Sequence, residues 1–218
     1  MQGKIALAGG GDEKDSRLID ETFASWIGPQ RKILYLPVAM RGIRPFHECL
    51  NWMRSTFSSF PSTTIEMWTD LSEHRGDELS EFASVYIGGG NTYLLLAEIL
   101  QTGFDRHLIE YVSRGGIIYG GSAGAAILGK DIGTIRHMDR NEIGLSETKG
   151  LNLVKDHSVW VHYQNPSDDK LIFEFQEKYN QSVLAVSERA GIVLENSELR
   201  SVGFESAFLF DKHGKQQL

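Results

Sequence analysis

Gly116-Ile117-Ile118-Tyr119-Gly120-Gly121-Ser122-Ala123-Gly124-Ala125-Ala126-Ile127-Leu128 joins a short apolar run to an alanine-rich helix through a turn of residues with almost no side chain. A strand, one cramped turn and a helix are what this order of residues predicts. A hydroxyl held at the tip of such a turn needs small neighbours on both sides, and Gly120, Gly121 and Gly124 supply them. Ser122 is therefore a candidate nucleophile. The competing reading makes it a helix cap whose oxygen accepts a backbone N–H.

Short apolar runs alternating with amphipathic stretches surround this segment and predict βα units with a parallel sheet. Strands are expected at Lys4 to Ala8, Lys32 to Leu36, Thr64 to Trp68 and Ser84 to Ile87, which makes the run before Ser122 the fifth. Helices are expected over 15–27, Phe46 to Phe57, Thr92 to Leu100 and Phe104 to Val112. Beyond the elbow, Lys130 to Gly150 is polar and turn-rich, Ser158 to Val161 reads as a strand and Leu171 to Tyr179 as a helix. The runs Leu184 to Val186, Gly191 to Leu194, Leu199 to Val202 and Ala207 to Phe210 suit hairpins at a sheet edge. The expectation is a single doubly wound α/β domain over residues 1–218, with its active face at the carboxyl ends of the parallel strands. Three glycine-bearing loops fall on that face: Gly9 to Asp12, Gly88 to Asn91, and the elbow. Gly9-Gly10-Gly11 reads as no more than a tight first turn, since its spacing is not that of a dinucleotide fingerprint.

Composition narrows the function classes. A net charge of −7 with no basic stripe argues against nucleic acid. The lone cysteine, Cys49, excludes an internal disulfide framework and fits a reducing compartment. Met1-Gln2-Gly3-Lys4 enters a strand at once and lacks a signal peptide's apolar core, and no run approaches the roughly 18 apolar residues of a membrane span. A cytoplasmic location is expected. No H-E-x-x-H or other ligand spacing calls for a metal, and no cofactor is implied.

A serine nucleophile needs a histidine base, and that base needs an orienting carboxylate. His162 ends the run Val159-Trp160-Val161, which puts it at a strand's carboxyl end and ranks it first. His137, in the loop after the elbow helix, ranks second. Asp131, Asp139, Glu142 and Glu188 are all open as the acid. One oxyanion donor should be the N–H of Ala123 and the other should come from Gly88-Gly89-Gly90.

Val85-Tyr86-Ile87-Gly88-Gly89-Gly90-Asn91-Thr92, the elbow Gly120 to Ala125, and a strand ending in His162 together resemble the peptidase E (aspartyl dipeptidase) and cyanophycinase family of serine peptidases. The resemblance runs from Lys4 to about Leu194 and implies a fold like that of class I glutamine amidotransferases, which is flavodoxin-like. It implies Ser122 as nucleophile and His162 as base. With Gly150-Leu151-Asn152-Leu153 as register, it implies Asp139 as the acid, Glu188 being the alternative. Gly90 and Ala123 become the oxyanion donors, and Gly89, Asn91 and Tyr163 the candidate substrate contacts. The implied activity is hydrolysis of short peptides through an acyl-enzyme, and a homodimer, common among such domains, is the candidate assembly. Two departures stand out. The resembling family has Trp where this chain has Gly121, and its Arg-bearing stretch after the histidine corresponds here to the Arg-free Tyr163-Gln164-Asn165-Pro166-Ser167-Asp168-Asp169-Lys170. That weighs against a strict preference for N-terminal Asp. The rival readings are an α/β-hydrolase-type esterase, which would take its base from near the C-terminus at His213, and a silent binding domain in which His162 stands out of reach of Ser122.

Overall fold

The computed structural model describes residues 3–28, 31–60 and 63–218. Met1 and Gln2, which open the segment expected to lack a leader, lie outside the described residues. Five strands run parallel: β1 (Lys4–Ala8), β2 (Arg31–Leu36), β3 (Thr63–Met67), β4 (Ser84–Ile87) and β5 (Ile117–Gly121). Six more follow: β6 (Ser158–Trp160), β7 (Val183–Ala185), β8 (Ala190–Glu195), β9 (Glu198–Gly203), β10 (Phe208–Asp211) and β11 (Gly214–Gln217). The helices are α1 (Arg17–Trp26), α2 (Phe46–Thr56), α3 (Thr92–Thr102), α4 (Phe104–Ser113), α5 (Ala123–Leu128) and α6 (Asp169–Tyr179). The main sheet has the order β3-β2-β4-β5-β1-β8-β9, with the antiparallel β8–β9 hairpin continuing it beyond β1.

Strand periodicity explains the layering. Ile5 and Leu7 of β1 enter a core shared with Leu95, Leu108 and Ala125 of α3, α4 and α5, while Ala6 and Ala8 face Ile19, Phe23 and Met53 of α1 and α2. Helices on both faces are why these strands read as unbroken apolar runs. Because β1 feeds a helix on one face and its neighbour β5 feeds a helix on the other, the chain parts at their carboxyl ends and opens a crevice there.

The C-terminal third differs from the edge-hairpin expectation. Only β8 and β9 join the main sheet. The runs at 184–186 and 207–210 supply β7 and β10 to a separate sheet, ordered β11-β10-β7-β6, in which β6 and β7 are parallel. This sheet has its own apolar cluster, in which Trp160, Val183 and Phe210 meet Ile172 and Phe175 of α6. The strand ahead of His162 therefore belongs to the small sheet.

Candidate active site

The elbow forms as the glycines demand. Ser122 has φ 48° and ψ −109°, a conformation costly for any residue with a side chain, and its N–H donates to the Ala8 carbonyl at 3.0 Å. Its carbonyl accepts from Ala126 N at 2.9 Å and so starts α5. A Cβ on Gly120 would lie 2.6 Å from the Gly124 carbonyl carbon, and one on Gly124 would lie 2.2 Å from the Ile87 oxygen. Neither position admits alanine. The Ser122 side chain makes no capping bond to α5, so it is not a helix cap.

Ser122 Oγ lies 2.8 Å from His162 Nε2, and His162 Nδ1 lies 2.9 Å from Glu188 Oε1. Main-chain bonds between the small sheet and the first loop fix the histidine. His162 N donates to the Gly9 oxygen at 2.9 Å, and Val186 N donates to the Trp160 oxygen at 2.9 Å. The second bond prolongs the parallel β6–β7 pairing beyond the strands and carries Glu188 alongside His162. His162 is itself at φ +52°, turned out of its strand. Its ring covers Gly10, where a Cβ would stand 2.1 Å from Cε1 at φ +134°. The Gly9-Gly10-Gly11 loop is therefore the seat of the histidine and more than a tight turn. Its place on the same face as the elbow was the available signal.

Asp139 does not meet His162. Its Oδ2 accepts from Thr92 N at 2.7 Å, at the amino end of α3 where a carboxylate is favoured. Glu188 occupies the position expected for Asp139. Of the other histidines, His137 stacks on Trp160 with ring centroids 4.4 Å apart, and His213 lies in the turn between β10 and β11. Asp131 caps a short turn through Gly133 N at 2.7 Å.

Gly89 and Gly90 line the crevice, and a Cβ on Gly89 would come within 3.2 Å of Ser122 Cβ. Gly90, at φ +130°, has the Ala39 carbonyl 2.2 Å from where its Cβ would be. Among the described residues no protein acceptor takes the N–H of Gly90 or of Ala123, which leaves both amides available to a ligand oxygen. Two expected substrate contacts are committed elsewhere. Asn91 caps α3, accepting from Leu94 N at 3.0 Å and donating to the Arg140 oxygen at 2.9 Å. Tyr163 is buried in the small sheet's cluster, with its hydroxyl on Asp169 and Asn165.

Ser122 opens on a cavity of about 600 Å³. Tyr35, Tyr86 and Tyr119 stand at matching register on β2, β4 and β5 and so project from the same face of the sheet, Tyr86 and Tyr119 stacking at 4.3 Å. That shared parity is legible in sequence once the strands are aligned. Beneath them Asp20, only 3% exposed, accepts from Ser16 Oγ at 2.8 Å. Its second oxygen and the Tyr119 hydroxyl are both buried, and among the described residues neither meets hydrogen-bond geometry with a partner, although the tyrosine is near enough to act on the carboxyl. Burial pushes the Asp20 carboxyl up to about 6, against the lowering effect of the Ser16 bond. Burial also raises the Cys49 thiol on the cavity wall, opposed by the charge of Arg44. Among the described residues no group of three or more His, Cys, Asp or Glu is placed to hold a metal, and no helix is long and apolar enough to cross a membrane.

The model of peptidase family S51 matches residues 5–202, nearly the whole chain. The chain belongs to peptidase family S51. It is 32% identical to an uncharacterized peptidase of Listeria monocytogenes over 121 residues, 53% of this chain and 58% of that protein. It is 30% identical to one of Listeria innocua over 139 residues, 62% of this chain and 66% of that protein. The chain thus aligns with less than two thirds of the length of these two relatives. Peptidase E of Shewanella denitrificans aligns over 86% of this chain and 80% of its own length at 26% identity. A solved structure from Listeria monocytogenes superposes with a TM-score of 0.75 at 22% identity, covering 94% of this chain and all of that one. A peptidase from an acI-B1 Actinobacterium gives 0.72 at 19%, covering 100% and 94%. These likenesses establish the α/β fold of this S51 chain.

Proposed function

We propose that this protein is a serine peptidase that cleaves short peptides through Ser122, His162 and Glu188. The carrying observation is the unbroken chain Ser122 Oγ–His162 Nε2–His162 Nδ1–Glu188 Oε1, at 2.8 and 2.9 Å. Membership of family S51 supports the reaction class. Ser122 attacks the scissile carbonyl while His162 Nε2 takes its proton, and Glu188 stabilises the imidazolium that forms. The free amides of Gly90 and Ala123 receive the oxyanion, each such donor typically being worth about 3 kcal/mol in the transition state. His162 then protonates the departing amine, and water, deprotonated by the same histidine, releases the acyl group.

The esterase reading that takes its base from His213 has no support from this geometry, because His162 already occupies the hydrogen-bonding position on Ser122. A silent scaffold would lack the 2.8 Å contact. Comparing wild type, Ser122→Ala and His162→Ala on a di- and tripeptide library is the test. Both variants should lose hydrolysis while keeping the wild-type circular dichroism, and peptide cleavage retained by a folded Ser122→Ala would overturn the proposal.

A further inference from the structure

We propose that the cavity beside Ser122 receives the residue that contributes the scissile carbonyl and selects a large apolar side chain, aromatic or branched aliphatic. This rests on the serine peptidase reading and deepens it.

Topology decides which half of the substrate meets the tyrosine walls of the cavity. His162 reaches Ser122 from the β1 side, bonded to the Gly9 oxygen at 2.9 Å and lying over Gly10. The departing amine must sit on that side, since His162 is the group that protonates it. The cavity lies on both sides of Ser122: Ala8, Gly10, Gly11 and Ser16 line it beside β1, and Tyr86, Tyr35, Trp52 and Met40 wall the part that lies the other way, toward β4 and β2. With the amine on the β1 side, the acyl residue's side chain is the part of the substrate directed toward the tyrosine-walled part.

Gly121 is what keeps the space open. A Cβ there would stand 3.3 Å from the Tyr86 hydroxyl, within reach of a small local adjustment, and any longer side chain would fill the cavity from its floor. The walls then determine the occupant. Tyr35 and Tyr86 are 3% and 4% exposed, and the one cation of the lining, Arg44, is solvent-exposed at the rim with no ion pair among the described residues. A carboxylate placed among these rings loses hydration for a single solvated guanidinium, whereas an apolar side chain gains by leaving water.

The experiment measures kcat/KM for Phe-, Leu-, Ala- and Asp-initiated di- and tripeptides on wild type, Ser122→Ala, Gly121→Ala, Gly121→Leu and Arg44→Gln. Phe and Leu should exceed Ala and Asp by about tenfold or more, in a Ser122-dependent manner. Gly121→Leu should collapse the Phe-to-Ala ratio toward one, with Gly121→Ala intermediate. Ser122-dependent cleavage without a Phe or Leu preference overturns the pocket assignment and leaves the peptidase reading standing. So does an Asp preference that Arg44→Gln removes. Absence of any Ser122-dependent cleavage overturns the peptidase reading itself, and the pocket assignment with it.

Discussion

Replacing Glu188 by Gln removes a charge and retains a hydrogen-bond acceptor for His162 Nδ1. The cost is therefore that of leaving the transient imidazolium without its counter-charge. At the 2.9 Å separation of His162 Nδ1 and Glu188 Oε1, unit charges attract by about 1.4 kcal/mol at water's dielectric constant and about 6 kcal/mol at an effective constant of about 20. The side chains of His162 and Glu188 are 35% and 54% exposed, so water screens the pair and the lower end applies. About 1.5–3 kcal/mol corresponds to a loss of roughly ten- to a hundredfold in kcat. Asp139→Asn is the matched control, because Asp139 holds the amino end of α3 and not the histidine. It should cost about 1 kcal/mol of stability in urea denaturation, as loss of a helix-end carboxylate does, and change kcat by only a few-fold. Steady-state kinetics on a cleaved peptide and denaturation curves for both variants suffice. Full kcat in Glu188→Gln with collapse in a folded Asp139→Asn would refute the assignment of the acid.

Gly10→Ala places a Cβ 2.1 Å from His162 Cε1 at a backbone φ of +134°, so the ring must leave Ser122. A fall in kcat of about a hundredfold or more is expected, general-base catalysis contributing roughly 10²–10⁴-fold, and a crystal structure should show the imidazole displaced. Asp20→Asn tests the buried carboxyl. Its folded-state value near 6, against 3.8 as a reference, means that ionisation is disfavoured in the native protein. Wild type should therefore lose stability as pH rises from about 4 through about 6. Two pH units correspond to about 3 kcal/mol. Asn escapes this loss, so the variant should be the more stable at pH 8 by up to that amount, with the difference gone below about pH 4 in urea titrations. A constant difference across that range would contradict the burial argument.

The parallel core and the elbow were readable because each rests on local chemistry. Apolar runs of strand length precede glycine turns, and Ser122 lies among residues that admit its backbone conformation. His162 was readable from its place after Val159-Trp160-Val161, although the strand there serves a different sheet from the one expected. With three residues each, β6 and β7 carry no pairing signal of their own, so nothing in the sequence assigned them to a second layer. The acid was ambiguous for the same reason. Glu188 meets His162 through the parallel β6–β7 register, a relation between segments far apart in the chain, while Asp139 has a local use at Thr92. The side-chain directions of Asn91 and Tyr163 were not legible, because a motif does not say which way a side chain turns: one turns back to cap its helix, and the other turns into the small sheet's core.

The most direct test of the account is peptide mapping by mass spectrometry after reaction with a serine-directed fluorophosphonate. One adduct per chain on Ser122 is predicted, with labelling slowed at least a hundredfold in His162→Ala, consistent with the usual contribution of a general base. An adduct on another residue, or a labelling rate indifferent to His162, would contradict it.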